Sequence, residues 1–176
     1  MLTVGHSNRP IDEFLRLLIA HSVKRLVDVR TVPRSRHNPQ FNRDSLPQSL
    51  AAEGIVYEHM PGLGGLRHPK KDSLNTGWKN LSFRGYADYM QTAEFRSNLE
   101  ALMELDRAGG VVIMCAEAVP WRCHRSLIAD ALVAHSVPVS HIMTETRANP
   151  HKITNFAHVE GGRITYPADS LQLFHR

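Results

Sequence analysis

The chain has only two cysteines, Cys115 and Cys123, in 176 residues. So few exclude a disulfide framework, and a chain of this length buries enough core to fold without one. A reducing, cytoplasmic setting is therefore expected. No apolar run approaches the roughly 18 residues of a membrane span, so no membrane association is expected. The N-terminus has no basic segment leading into an apolar one, so no secretory signal is read there. Internal repeats, low-complexity tracts and linker-like stretches are also missing, which leaves one domain over residues 1–176. Neither sign of charge dominates: 21 basic residues against 17 acidic ones give a net charge of +4, with 11 histidines besides. That mild basicity suits an anionic ligand without demanding nucleic acid.

What the chain does have is concentrated in residues 111–125. The apolar run 111–114 follows Gly109-Gly110 and reads as a strand buried on both faces, ending at Cys115. Pro120 suits the first turn of a helix because it has no N–H to lose. Leu127, Ile128, Ala131 and Leu132 then continue the helix along one face. Cys115, Glu117, Arg122, Cys123, His124 and Arg125 are thus expected at one strand-to-helix junction. In an open parallel sheet that edge is where ligands bind.

Elsewhere, residues 2–4 read as a strand, a tight turn leads to Pro10, and Ile11, Phe14, Leu15, Leu18 and Ile19 recur at helical spacing. Residues 25–30 read as a second strand, completing a strand–helix–strand unit with parallel pairing and a right-handed crossover. Residues 31–42, with two prolines and three arginine or histidine positions, form a basic loop. A short helix over 45–52 and a strand over 55–57 follow. The turn at 61–66 is rich in glycine but lacks the lysine and the spacing of a P-loop. Residues 67–81 are polar and basic with Trp78 as the one large apolar anchor, and are expected to be a mobile, lid-like segment. Helical pattern returns at 86–91 and 95–103, a strand at 137–143, and a hairpin around Gly161-Gly162 that would pack on the sheet edge. The fold class is α/β: a single three-layer domain, its mainly parallel sheet flanked by helices, with a C-terminal hairpin.

Strand carboxyl ends share an edge in such a sheet, which brings together His6 and Ser7, Asp28 and Arg30, and Cys115 and Glu117. Arg30, Arg34, Arg122 and Arg125, beside free backbone N–H groups, make a natural phosphate or carboxylate site. Asp28 and Glu117 orient these arginines or serve as acid and base; purely structural ion pairs account for them as well. Cys123 is expected in the first helical turn among cations, which favours its thiolate, whereas Cys115 sits where strand-end nucleophiles sit. Cys115, Cys123 and His124 also offer three metal-ligand atoms, although adjacent Cys and His side chains diverge on a helix. Three functions stay open. One is a hydrolase or transferase using Cys115, Glu117, Cys123 and His124 on a small phosphate- or nucleotide-like anion. The others are a non-catalytic nucleic-acid or ligand binding module and a Cys/His metal-binding protein. No cofactor or oligomeric state is indicated.

The ordered set Thr3-Val4-Gly5-His6-Ser7, Leu26-Val27-Asp28-Val29-Arg30 with Pro33, Ser35, Pro39 and Phe41, Leu63-Gly64-Gly65, and Cys115-Ala116-Glu117 with Cys123-His124-Arg125 resembles the bacterial and archaeal family called domain of unknown function 488. The resemblance implies a compact α/β fold with a shared site at those motifs, and no established activity. A looser likeness, of architecture only, is to rhodanese and cysteine-phosphatase domains. Against the phosphatase loop, the Cys115-to-Arg122 spacing is one residue longer, no histidine precedes Cys115, and the loop has no glycine.

Overall fold

Val111–Cys115 is apolar throughout and buried throughout, and it forms the strand (β4) about which the sheet is arranged. In the computed structural model, which describes residues 1–168, β4 is flanked by β1 (Leu2–Gly5) on one side and β2 (Arg25–Asp28) on the other, both parallel to it. β3 (Val56–His59) pairs with β2, and β5 (Ser140–Thr144) with β1, again in parallel. β6 (Arg147–Pro150) closes that edge antiparallel to β5, giving the order β3-β2-β4-β1-β5-β6.

Side chains alternate across a strand, so β4 serves two cores. Val112 and Met114 join Val4 and Leu26 under α1 (Ile11–Ala20) and α2 (Leu46–Ala52), which contribute Phe14, Leu17, Leu18, Leu46 and Leu50. Val111, Ile113 and Cys115 face the other way, toward α3 (Leu81–Tyr89), α4 (Ala93–Asp106) and α5 (Arg125–Ala134). This is a mainly parallel, three-layer α/β domain, as the periodicities imply. The helix starts have local causes: Asn80 accepts from the N–H groups of Ser82 and Phe83, and Thr92 from that of Phe95.

Four local expectations need correction. β1 and β2 are parallel but not neighbours, because β4, the strand apolar on both faces, takes the central place between them. Pro120 does not open the long helix. It starts a single 3-10 turn (Pro120–Arg122), the backbone is extended at Cys123 (φ −133°, ψ 143°), and α5 begins only at Arg125. The hairpin, β7 (His158–Glu160) and β8 (Arg163–Thr165), is a separate two-stranded sheet that packs on α5 rather than on the sheet edge. The edge belongs to β6, whose Arg-Ala-Asn-Pro sequence has no apolar alternation and ends on a proline that only an edge tolerates.

The fourth is the polar segment 67–81, which is pinned rather than free. Asp88, buried on α3, accepts hydrogen bonds from Lys70 N–H, the Ser73 hydroxyl and the Asn75 amide, and Asn75 in turn accepts from Tyr166 N–H. Trp78 stacks on Phe83 and meets Phe156 and Tyr166 edge-on or tilted. A second buried chain ties the far side. Thr3 bonds His141 (2.7 Å), His141 bonds His151 (2.8 Å), and His151 bonds Asp130 of α5 (2.7 Å). The Thr154 and Tyr166 hydroxyls also donate to Asp130.

Candidate functional site

The carboxyl ends of β1, β2 and β4 do converge, but in two layers. The lower layer is buried. Asp28, with no exposure, accepts from the Arg30 side chain at 2.9 and 2.6 Å, from Arg30 N–H and from the Tyr57 hydroxyl. Arg30 also donates to Phe41 O and to His6 Nε2, leaving one guanidinium N–H over. His6 stacks on Phe41 at 4.2 Å, and its Nδ1 donates to Ser7 O. Burial is the main force lowering its pKa, so the ring is neutral. Burial, and then Asp28, pushes the Tyr57 phenol up.

Arg125, only 1% exposed, donates to the carbonyls of Val4 (3.1 Å), Glu117 (2.7 Å) and Ala118 (3.0 Å), which holds the loop after β4 against β1. Its Nε has no acceptor, and no carboxylate among the described residues pairs with it. Gly5 makes this crossing possible: a Cβ there would sit 1.8 Å from Glu117 O and 2.7 Å from the Arg125 guanidinium.

The upper layer opens on a cleft of about 340 Å³. Its floor holds Cys115, at the end of β4, with Cys123 and His124. The His124 Nδ1 lies 3.8 Å from Cys115 Sγ and 3.7 Å from Cys123 Sγ, and all three atoms lie within 4.8 Å of one another. His124 Nε2 donates to Val29 O at 3.1 Å, so Nδ1 presents its lone pair to the sulfurs. Gly65 leaves room for the imidazole, since a Cβ there would be 2.5 Å from Nδ1. Arg30, Glu117 and Arg122 border the cleft, and Val32, Leu66 and Phe83 form an apolar wall. Among the described residues, the N–H groups of Ala116, Glu117, Ala118 and Val119 bond to no acceptor.

Of the residues singled out from sequence, Cys115, Glu117, Arg122, Cys123, His124 and Arg30 meet at the cleft. His6, Asp28 and Arg125 support it from beneath. Ser7 bonds Asn8 and does not line it, and Arg34 lies outside it in a neighbouring depression with Arg36. The two thiols exchange their expected roles. Cys123 is outside the helix and buried, and its hydrogen bond to Cys115 and its burial push its pKa up. Cys115 is held low chiefly by that hydrogen bond. Sequence reasoning missed Tyr57, and it named Phe41 and Val29 only as motif residues, without the ring stacking or the carbonyl contact they supply. These roles have no local signal, because each appears only once β2 and its neighbours are assembled.

Fold and site together define an α/β protein with a paired-cysteine and imidazole cluster at the carboxyl edge of its sheet. The family model described as domain of unknown function DUF488 matches residues 10–132, and the chain belongs to that family. The matched span takes in Asp28–Arg30, Gly65 and the whole Cys115–Arg125 junction. No curated protein and no solved structure matches the chain significantly.

Proposed function

We propose that the cleft binds a small anionic ligand, phosphate- or nucleotide-like, and that the protein acts on it as a hydrolase or transferase. The reacting groups are Cys115, Cys123 and His124, with Glu117 as acid or base and Arg30 and Arg122 as anchors for the anion. The observation that carries this reading is the clustering of both sulfurs around one oriented imidazole nitrogen, at the bottom of a cleft whose loop N–H groups have no internal acceptor. Backbone donors and guanidinium groups around such a space stabilise charge in a bound anion and in a transition state alike. The apolar residues Val32, Leu66 and Phe83 that line the same cleft suit a ligand that has an apolar body as well as an anionic head.

Calorimetry with inorganic phosphate and with nucleoside mono- and diphosphates tests the reading. Arg122→Ala should weaken binding by about tenfold, the loss of one charge-assisted contact, while Arg34→Ala leaves it unchanged. The competing reading is a nucleic-acid surface built on the exposed Arg34 and Arg36. It predicts oligonucleotide binding that falls steeply with salt and is lost with those two arginines. That result, with no small ligand bound, would overturn the proposal.

A further inference from the structure

We propose that Cys115, Cys123 and His124 bind one divalent transition-metal ion of the zinc class, whose fourth coordination position opens on the cleft. The three-donor site stands on its own geometry. The identity of the fourth ligand, the anionic ligand of the cleft, rests on the reading given above.

The distances carry the argument first. Zinc bonds of about 2.3 Å to sulfur and 2.0–2.1 Å to nitrogen, at a tetrahedral angle, put sulfur and nitrogen about 3.6 Å apart. The two sulfur–nitrogen distances here are 3.8 and 3.7 Å. The sulfurs, within 4.8 Å of each other, need to close by about an ångström at most to reach the corresponding sulfur–sulfur spacing.

The tautomer is the second argument. A metal-bound histidine usually donates its other ring N–H to a carbonyl or carboxylate, which fixes the ring and raises the basicity of the ligating nitrogen. The bond from His124 Nε2 to Val29 O does this and leaves Nδ1 between the sulfurs. The objection that consecutive Cys and His side chains diverge on a helix does not apply. Cys123 is extended and His124 lies just before α5, so the backbone turns between them and both side chains reach Cys115.

Charge is the third. Arg125 is a buried guanidinium with carbonyl partners only and a vacant Nε. A zinc ion with two thiolates and one imidazole is neutral, and an anion in the fourth position makes it −1. Arg125 beneath it then has its counter-charge. A three-donor, sulfur-rich set with one position open is the pattern of reactive rather than purely structural zinc. With all three donors bound to it, the ion would take over from the free thiols and imidazole as the reacting centre, supplying Lewis acidity at the place where the anion lies, with Glu117 at the same cleft as acid or base.

The test uses the full chain, reduced and stripped with chelator. Added Co2+ should bind one per chain and show thiolate-to-cobalt charge transfer with tetrahedral ligand-field bands. Cys123→Ser and His124→Ala should each lower Zn2+ affinity by at least about 100-fold, beyond the usual effect of outer-shell changes. Should either variant fold poorly, the wild-type protein still decides: Zn2+ should protect both thiols from alkylation, and chelator should restore their reactivity. Equal alkylation rates with and without excess Zn2+, or unchanged metal affinity in both variants, would overturn the site. Inorganic phosphate should shift the cobalt bands. Phosphate that binds and leaves them unmoved refutes the fourth-ligand assignment, while metal binding without any phosphate or nucleotide binding removes the cleft reading and leaves the three-donor site standing.

Discussion

Single residues in the lower layer hold the site without touching its cleft. Gly5 is the sharpest case, because a methyl group there meets a backbone carbonyl that Arg125 clamps in place. Gly5→Ala should therefore cost about 3 kcal/mol or more, the top of the usual range for overpacking. In a chain of this size that is a fall of about 6–12 °C in Tm, read by calorimetry. Asp28→Asn tests the other clamp: it leaves Arg30 buried with its counter-charge gone and should cost about 3–5 kcal/mol in a denaturant melt. A Tm lowered by less than 2 °C in either variant contradicts this account. Which residue types gather at the site was legible from sequence, since strand ends of a parallel sheet must share an edge. Which of them face the cleft was not. His6, Asp28 and Arg125 look as available as Arg122 in one dimension, and only the packing of Phe41 and the carbonyls of Val4 and Glu117 turns them inward.

Among the elements, legibility followed apolar pattern. β4 declares itself by an unbroken hydrophobic run, and α1 by the spacing of Ile11, Phe14, Leu15, Leu18 and Ile19, although the face it buries is Phe14, Leu17 and Leu18 and Ile19 is exposed. β6 has no such pattern and is a strand only because β5 offers it an edge. The helix start at Arg125 was read too early because a proline marks a 3-10 turn as well as an α-helical one. The chain of buried hydrogen bonds from β1 through β5 to α5 has a testable consequence. Burial, reinforced by His151, pushes His141 down to about 4. The unfolded chain then takes up this proton before the folded one does. The contribution is complete above the ordinary histidine value of 6.5 and is lost as pH falls from there toward 4. Each pH unit in that window weakens the fold by at most about 1.4 kcal/mol. Thermal melts should show Tm falling between pH 6.5 and 4, and less so in His141→Gln. An equal acid slope in that variant would dissociate His141 from the effect.

For the whole molecule, the order of the strands governs when the fold can come into being. Leu2 pairs with Val112 and Asp28 with Met114, so the middle of the sheet is supplied by residues more than 80 positions downstream of both its neighbours. Distant pairings of this kind slow folding, because loop closure comes before the contacts that reward it. A fragment of residues 1–110 should remain unfolded by circular dichroism, and refolding of the full chain should regain sheet signal and burial of the Cys115 and Cys123 thiols in the same phase. During synthesis β3 can cover the outer edge of β2, but the edges of β1 and β2 that face β4 stay bare until β4 emerges. The nascent chain is thus most open to pairing with foreign strands just before it acquires the Cys115–Cys123–His124 cluster, and a chaperone that shields those edges would act in the interval before Val111 leaves the ribosome.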